Sequence, residues 1–354
     1  MFDSLRPCIR HMAAYTPGEQ PRDGTFIKLN TNENPYPPSP RVFEALSAAL
    51  TGDQLRKYPD PVGMHFRQTA GRVLGVDPDG ILIGNGSDDI LTILTRAFVP
   101  EGGLIVSPTP SYLLYHTLAN LQGARFMTVS YTPDWKLPYP WPVRFADLTF
   151  LANPNSPSGT TISLQEIDQV RANVRGPLVV DEAYADFAES NALDLLKRGA
   201  EDVVITRSFS KSYSLAGIRF GFAVGEPALI RQLYKVKDSY NCDALSLVAA
   251  AAAIEDQEYF QTIRARILAT RGRMEKALTD LGFNVCPSQA NFVWCRRADR
   301  PIKPIYEELK NRNILVRYMN YEGYGDGLRI SVGTDEEIDR LLAELTAISG
   351  ERPA

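Results

Sequence analysis

The chain has 354 residues, 44% of them hydrophobic and 23% charged, with 38 Lys plus Arg against 42 Asp plus Glu and a formal charge of −4. At about 150 residues per domain this length points to two domains, with enough chain to bury a core without disulfide or metal staples. A balance so near neutrality excludes a general polyanion binder, so no nucleic-acid partner is expected.

In chain order, Asp3, Arg6 and Arg10 fall where an export signal needs an apolar core, so none is expected and the protein is assigned to the cytoplasm. Prolines at 7, 17, 21, 35, 37, 38 and 40 predict an irregular arm over residues 1–40. A helix is predicted over Pro40–Leu50, where Val42, Leu46, Ala49 and Leu50 make an apolar stripe. From ILIG (81–84) onward, short apolar runs alternate with helical patterns: DDILTILTRAF (88–98), LIVS (104–107), SYLLYHTLANLQ (111–122) and ARFMTVS (124–130). DLTFLAN (147–153), PLVVDEAY (177–184), DVVITRSFS (202–210) and FGFAVG (220–225) are further strand candidates. This rhythm indicates an α/β fold with a parallel or mixed sheet between helices. A long helical region is predicted over 227–281. Its charge-free stretch Ala244–Ile254 is too short to span a bilayer, so no membrane partner is expected. NFVWCR, a helix near PIKPIYEELKNRN, ILVRY, LRISVG and a C-terminal helix read as a smaller α+β domain, with Thr334 and Glu337 as a capping box. The expected division is an arm over 1–35, a large domain over 36–235 and a small domain over 236–354.

Some chemistries drop out at once. Cys8, Cys242, Cys286 and Cys295 have no CxxC spacing and suit reduced thiols. His11, His65 and His116 make no HxxxH pair, so no metal site is expected, and there is no GxSxG elbow for a His-dependent hydrolase. Four strand candidates end instead in polar clusters, and ligands of open α/β sheets sit beyond those ends. GNGSDD (84–89) reads as a phosphate cradle: Gly84 and Gly86 allow close backbone approach, and Ser87 or Asp88 caps the following helix, whose free amides attract anions. By itself it equally fits a plain capped turn. Lys211, flanked by Ser208 and Ser210 after an apolar strand, is placed to be a desolvated amine that forms Schiff bases with carbonyls. Arg219 adds a two-oxygen phosphate ligand. Asp181 ends PLVV, so its carboxylate needs a cationic partner or a proton, and a pyridinium nitrogen suits it. Tyr184, three residues on, can reach the opposite edge of such a ring. Together these features describe pyridoxal phosphate.

NTNENP (30–35), KYPD (57–60), GNGSDD, NPNSPSG (153–159), DEAYADF (181–187), SFSKSYSLAGIRFG (208–221), ANFVW (290–294) and LRISVGT (328–334) stand in one order over nearly the whole chain. With them the sequence resembles the fold-type I, pyridoxal-phosphate-dependent aminotransferases, and among these the histidinol-phosphate aminotransferases. The resemblance implies a large domain with a mostly parallel seven-stranded sheet. It implies that Lys211 binds the cofactor covalently and shuttles the substrate proton, that Asp181 pairs with the ring nitrogen and that Tyr184 pairs with the ring hydroxyl. Ser208, Ser210, Arg219 and the backbone at Gly86, Ser87 and Asp88 would hold the phosphate, and Tyr112 would stack on the ring. Tyr58 would reach the cofactor of a second subunit, which makes a homodimer with shared sites. The family has Asn directly before Pro-Thr-Gly to meet the ring hydroxyl. This chain has Ser156 there, followed by Pro157-Ser158-Gly159, which leaves Asn155 or Ser156 for the contact.

The same resemblance assigns Arg329 to the acidic end of the substrate, Arg317 as a second guanidinium suited to a phosphate dianion, and Tyr15 to covering the substrate. It implies histidinol phosphate and 2-oxoglutarate as substrates. An aromatic amino-acid aminotransferase and an O-phosphothreonine decarboxylase on the same fold are the alternatives.

Overall fold

Thirteen strands occur in the computed structural model, which describes residues 4–12, 18–20 and 26–350. They are β1 (Ile27–Lys28), β2 (Ile81–Gly84), β3 (Leu104–Thr109), β4 (Arg125–Ser130), β5 (Leu148–Ala152), β6 (Leu178–Asp181), β7 (Val203–Ser208), β8 (Gly221–Val224), β9 (Asn284–Val285), β10 (Phe292–Arg296), β11 (Ile314–Leu315), β12 (Arg317–Tyr321) and β13 (Gly325–Ser331).

Seven of them form one sheet in the order β2-β8-β7-β6-β5-β3-β4, in which β8 alone runs against its neighbours. Every residue of β2, β5, β6, β7 and β8 is buried. Helices cover both faces of such strands, which is why they read in the sequence as unbroken apolar runs. Polar residues cluster where the runs stop. The reversal of β8 matters to the site, because Gly221, at its start, pairs with both Gly84 and Ser208, the ends of β2 and β7. Arg219, two residues earlier, thereby joins the edge at which the parallel strands end.

The strands β12-β13-β10-β9 form a second, antiparallel sheet, and β1 pairs in parallel with β11. Leu29 and Tyr36 share a core with Ile263, Val293 and Ile330, so the N-terminal segment packs with the C-terminal part of the chain. The helix Asp335–Gly350 opens with the expected capping box: Thr334 N donates to Glu337 Oε2 (2.8 Å) and Glu337 N donates to Thr334 Oγ1 (3.2 Å).

Three expectations need correction. The arm is not wholly irregular, since Pro7–His11 is a short helix with proline in its first turn, where no N–H is needed, and β1 follows it. The region 227–281 divides into the helices Pro227–Leu233, Ala244–Glu255 and Gln257–Asp280. Asp243 and Asp256 break it, because their side chains accept from backbone N–H groups and cap the helix that follows each. A small domain starting at 236 also begins too early. Ala249, Ala250 and Ile254 lie in one core with Val42, Phe66 and Ile83, since short alanine side chains let that helix pack closely on the helices Pro40–Ala49 and Met64–Leu74. Among the described residues no helix is long and apolar enough to cross a membrane.

Candidate active site

A cleft of about 400 Å³ opens at the carboxyl edge of the large sheet and is closed on its other side by β12, β13 and the segment Asn30–Glu33. Asp181, the last residue of β6, lines it and is 5% exposed. Tyr115 OH donates to Asp181 Oδ2 (2.7 Å), while Thr206 Oγ1 (3.0 Å) and Ala183 N (3.3 Å) donate to Oδ1. Burial holds this carboxyl above its ordinary range, although the bonds from Tyr115 and Thr206 act to lower it. An anion so placed calls for a cationic partner from the cleft.

Lys211 follows β7 by three residues, and its Nζ donates to the Thr31 carbonyl (3.1 Å). Desolvation, reinforced by the positive charge of Arg329, lowers its pKa to about 8, so a neutral amine is within reach near physiological pH. The backbone around it is tied down from two sides. Asn34 Nδ2 donates to the carbonyls of Lys211 (3.0 Å) and Ser212 (3.2 Å). On the other side Ser212 Oγ donates to Asp186, which is ion-paired with Arg207, and Arg207 also pairs with the buried Glu182. The segments DEAYADF and RSFSKS are thus fastened together beneath the lysine.

The segment read as a phosphate cradle differs from expectation in its helix cap. Gly86 is the N-cap of the helix Ser87–Phe98, and no side chain caps that helix, although Ser87 or Asp88 was expected to. Gly86 has φ +84°, and a Cβ there would lie 2.8 Å from Arg219 Nη2. A Cβ on Gly221 would meet Ser87 N at 2.5 Å. Only glycine lets the turn, the helix amides and Arg219 come together. Arg219 Nη1 donates to Ser210 Oγ (3.2 Å), and Ser210 N donates to Ser208 Oγ (3.2 Å). Asp88 stands 3.7 Å from Arg219 Nη2 and accepts from Tyr112 OH (3.2 Å), holding both side chains at the cleft.

On the opposite wall, Arg329 Nη1 donates to Ser156 Oγ (2.9 Å) and Nη2 to the Asn30 carbonyl (3.1 Å). Arg317 is its register partner across β12 and β13, and both line the cleft. Tyr184 OH accepts from Asn32 Nδ2 (2.9 Å).

Of the two candidates Asn155 and Ser156, Ser156 lines the cleft and Asn155 does not. Its Nδ2 donates to the Pro110 carbonyl (3.1 Å) and Ser158 Oγ (3.1 Å), and its Oδ1 accepts from Ser111 (2.8 Å), so the amide braces the loop. Tyr58 lies away from this chain's cleft, 81% exposed and stacked on Tyr240 with ring centroids 4.4 Å apart. Tyr15 lies outside the described residues.

Asn32, Asn34, Tyr115 and Thr206 are working parts of the site to which the sequence reading gave no role. NTNENP was the available signal for the first two. Asn32 has φ +56°, a left-handed backbone that asparagine tolerates, and bonds to Ser331 as well as Tyr184.

These residues fit pyridoxal phosphate: a cradle that a Cβ would fill, a buried carboxylate for the ring nitrogen, and an amine of lowered pKa between them. Fold and site together define a pyridoxal-phosphate-dependent transferase. The profile of the family described as aminotransferase class I and II matches residues 24–345, and the chain belongs to that family. It is 52% identical over 340 residues to the histidinol-phosphate aminotransferase of Rhodopirellula baltica, covering 95% of this chain and 93% of that one. It is 48% identical over 349 residues to the histidinol-phosphate aminotransferase of Syntrophotalea carbinolica, covering 98% and 100%. A crystal structure of histidinol-phosphate aminotransferase from Sinorhizobium meliloti in complex with pyridoxal-5'-phosphate aligns with a TM-score of 0.86 at 26% identity, over 99% of this chain and 98% of that one.

Proposed function

We propose that this aminotransferase moves the amino group of L-histidinol phosphate to 2-oxoglutarate by a ping-pong route, giving imidazole-acetol phosphate and glutamate. The observation that carries the reading is the pair Arg317 and Arg329, two guanidinium groups on one face of the cleft across from Lys211. A phosphate dianion matches two such groups better than one carboxylate does.

Bound pyridoxal phosphate supplies an electron sink that weakens the bonds at the substrate's reacting carbon. Asp181 would hold the ring nitrogen, Tyr184 and Ser156 would serve the ring hydroxyl, and Tyr112 would stack on the ring. Ser208, Ser210, Arg219 and the amides at Gly86 and Ser87 would hold the cofactor phosphate. Arg317 and Arg329 grip the substrate phosphate and turn its amino group toward Lys211. Lys211 Nζ, with its pKa lowered to about 8, would take the proton from substrate Cα and return it at cofactor C4′.

The working unit in this reading is a homodimer in which Tyr58 reaches the cofactor phosphate of the partner subunit. Supporting it, Tyr58 and Tyr240 form a stacked, exposed aromatic pair, the kind of apolar surface that subunit contacts cover. Four unpaired cysteines accord with a reducing cytoplasm.

The deciding experiment incubates the holoenzyme with 2-oxoglutarate and, separately, histidinol phosphate, phenylalanine or O-phosphothreonine. Glutamate should form fastest with histidinol phosphate. Glutamate with phenylalanine alone, or CO2 from O-phosphothreonine, would overturn the assignment.

A further inference from the structure

We infer that Tyr115 is a positioning residue which, through its bond to Asp181, keeps the cofactor's ring nitrogen protonated; the inference rests on the role given to Asp181 above. Tyr115 lies in the helix Leu114–Gln122 and is wholly buried. Its ring stacks on Phe150 of β5 with centroids 4.6 Å apart and planes within 8°, and meets Tyr112 edge-on at 5.6 Å. Two aromatic neighbours therefore fix the direction of its hydroxyl, which donates to Asp181 Oδ2 at 2.7 Å. Thr206, the register partner of Asp181 in β7, donates to the other oxygen at 3.0 Å.

Both donors are neutral, and that is the informative point. An Arg or Lys in either place would neutralise Asp181 and leave the ring nitrogen facing a satisfied ion pair. A hydroxyl stabilises the carboxylate as an anion while leaving its full negative charge for a cation in the cleft. Among the described residues the donors to Asp181 are Tyr115, Thr206 and the Ala183 amide. Asp88, Tyr112 and Tyr131 are the other titratable groups that act on this pair. Burial and the neighbouring Asp181 charge keep the Tyr115 phenol well above its ordinary range, so it remains a donor wherever the enzyme works.

Losing the Tyr115 hydroxyl makes Asp181 the stronger base. The proton shared between Asp181 and the ring then moves toward the carboxylate, and the ring loses part of its electron-withdrawing power. The test loads the wild type, Tyr115→Phe, Thr206→Val and Thr206→Ser with pyridoxal phosphate carrying 15N at the ring nitrogen, and compares the 15N shift at one near-neutral pH. The wild type and Thr206→Ser should give a pyridinium signal, while Tyr115→Phe and Thr206→Val move toward the neutral-pyridine position. With Tyr115→Phe, kcat should fall about 10-fold, the worth of one hydrogen bond to a charged group, with KM for both substrates nearly constant. A pyridinium signal unchanged in Tyr115→Phe, or in Thr206→Val if the phenylalanine variant does not fold, overturns the inference alone. A neutral ring in the wild type overturns the role of Asp181 and the inference with it.

Discussion

Arg317 and Arg329 stand directly opposite one another in the antiparallel pair β12–β13, so two guanidinium groups leave the same face of the sheet and enter one cleft. Like charges in this relation destabilise a sheet. Ser156 Oγ and the Asn30 carbonyl accept from Arg329 and orient its guanidinium at the cleft.

Arg317→Ala should therefore act on the phosphate and spare the chemistry. A lost charge-assisted hydrogen bond, about 1.5–3 kcal/mol, predicts a fall of about 10- to 100-fold in kcat/KM for histidinol phosphate. Phenylalanine or unphosphorylated histidinol should lose far less. Steady-state kinetics on the three amines check this, and an equal loss on all of them would show that Arg317 supports the fold and reads no phosphate.

Much of this was visible in the sequence because strands buried on both faces appear as apolar runs, and the site lies where those runs end. Asp181, Lys211 and Arg219 each break an apolar stretch with a charge, which makes them stand out. Asn32 and Asn34 escaped notice because their work is to hold Tyr184 and the backbone of Lys211, some 150 or more residues away in the chain, as their hydrogen bonds show. Tyr115 and Thr206 are core residues by every local criterion, and only the pairing of β6 with β7 and the stacking on Phe150 reveal their aim at Asp181. Asn155, next to the expected position, shows the same limit: its neighbours in sequence do not reveal that the loop turns its amide toward Pro110 and Ser158.

The lowered pKa of Lys211 has a consequence for the apoprotein. Its folded value of about 8 lies below the ordinary 10.5, so between the two the unfolded chain holds a proton that the folded chain does not. Stability from this group therefore rises with pH through that window, is lowest below about pH 8 where the folded state must carry the desolvated charge, and levels off once both states are neutral. Melting the apoprotein between about pH 8 and about pH 10 should show a slope that Lys211→Met removes, while raising Tm most at the lower pH. Parallel curves for the two proteins would mean that the lysine is not desolvated before the cofactor arrives.

Shared sites give the dimer a sharp test. If Tyr58 serves the partner's cofactor, Tyr58→Ala leaves weakly loaded sites and Lys211→Ala leaves inert ones, so each pure variant is impaired. Random exchange of subunits makes half of the dimers mixed. In each mixed dimer one site receives Lys211 from the first subunit and Tyr58 from the second, while the other site lacks both. About a quarter of all sites are then intact, and mixing two poor enzymes should recover about a quarter of wild-type activity. Native mass spectrometry can confirm that exchange has occurred. If mixed dimers form and activity stays at the mean of the two parents, Tyr58 serves no partner site, because a tyrosine acting within its own subunit leaves no site in the mixed dimer with both residues.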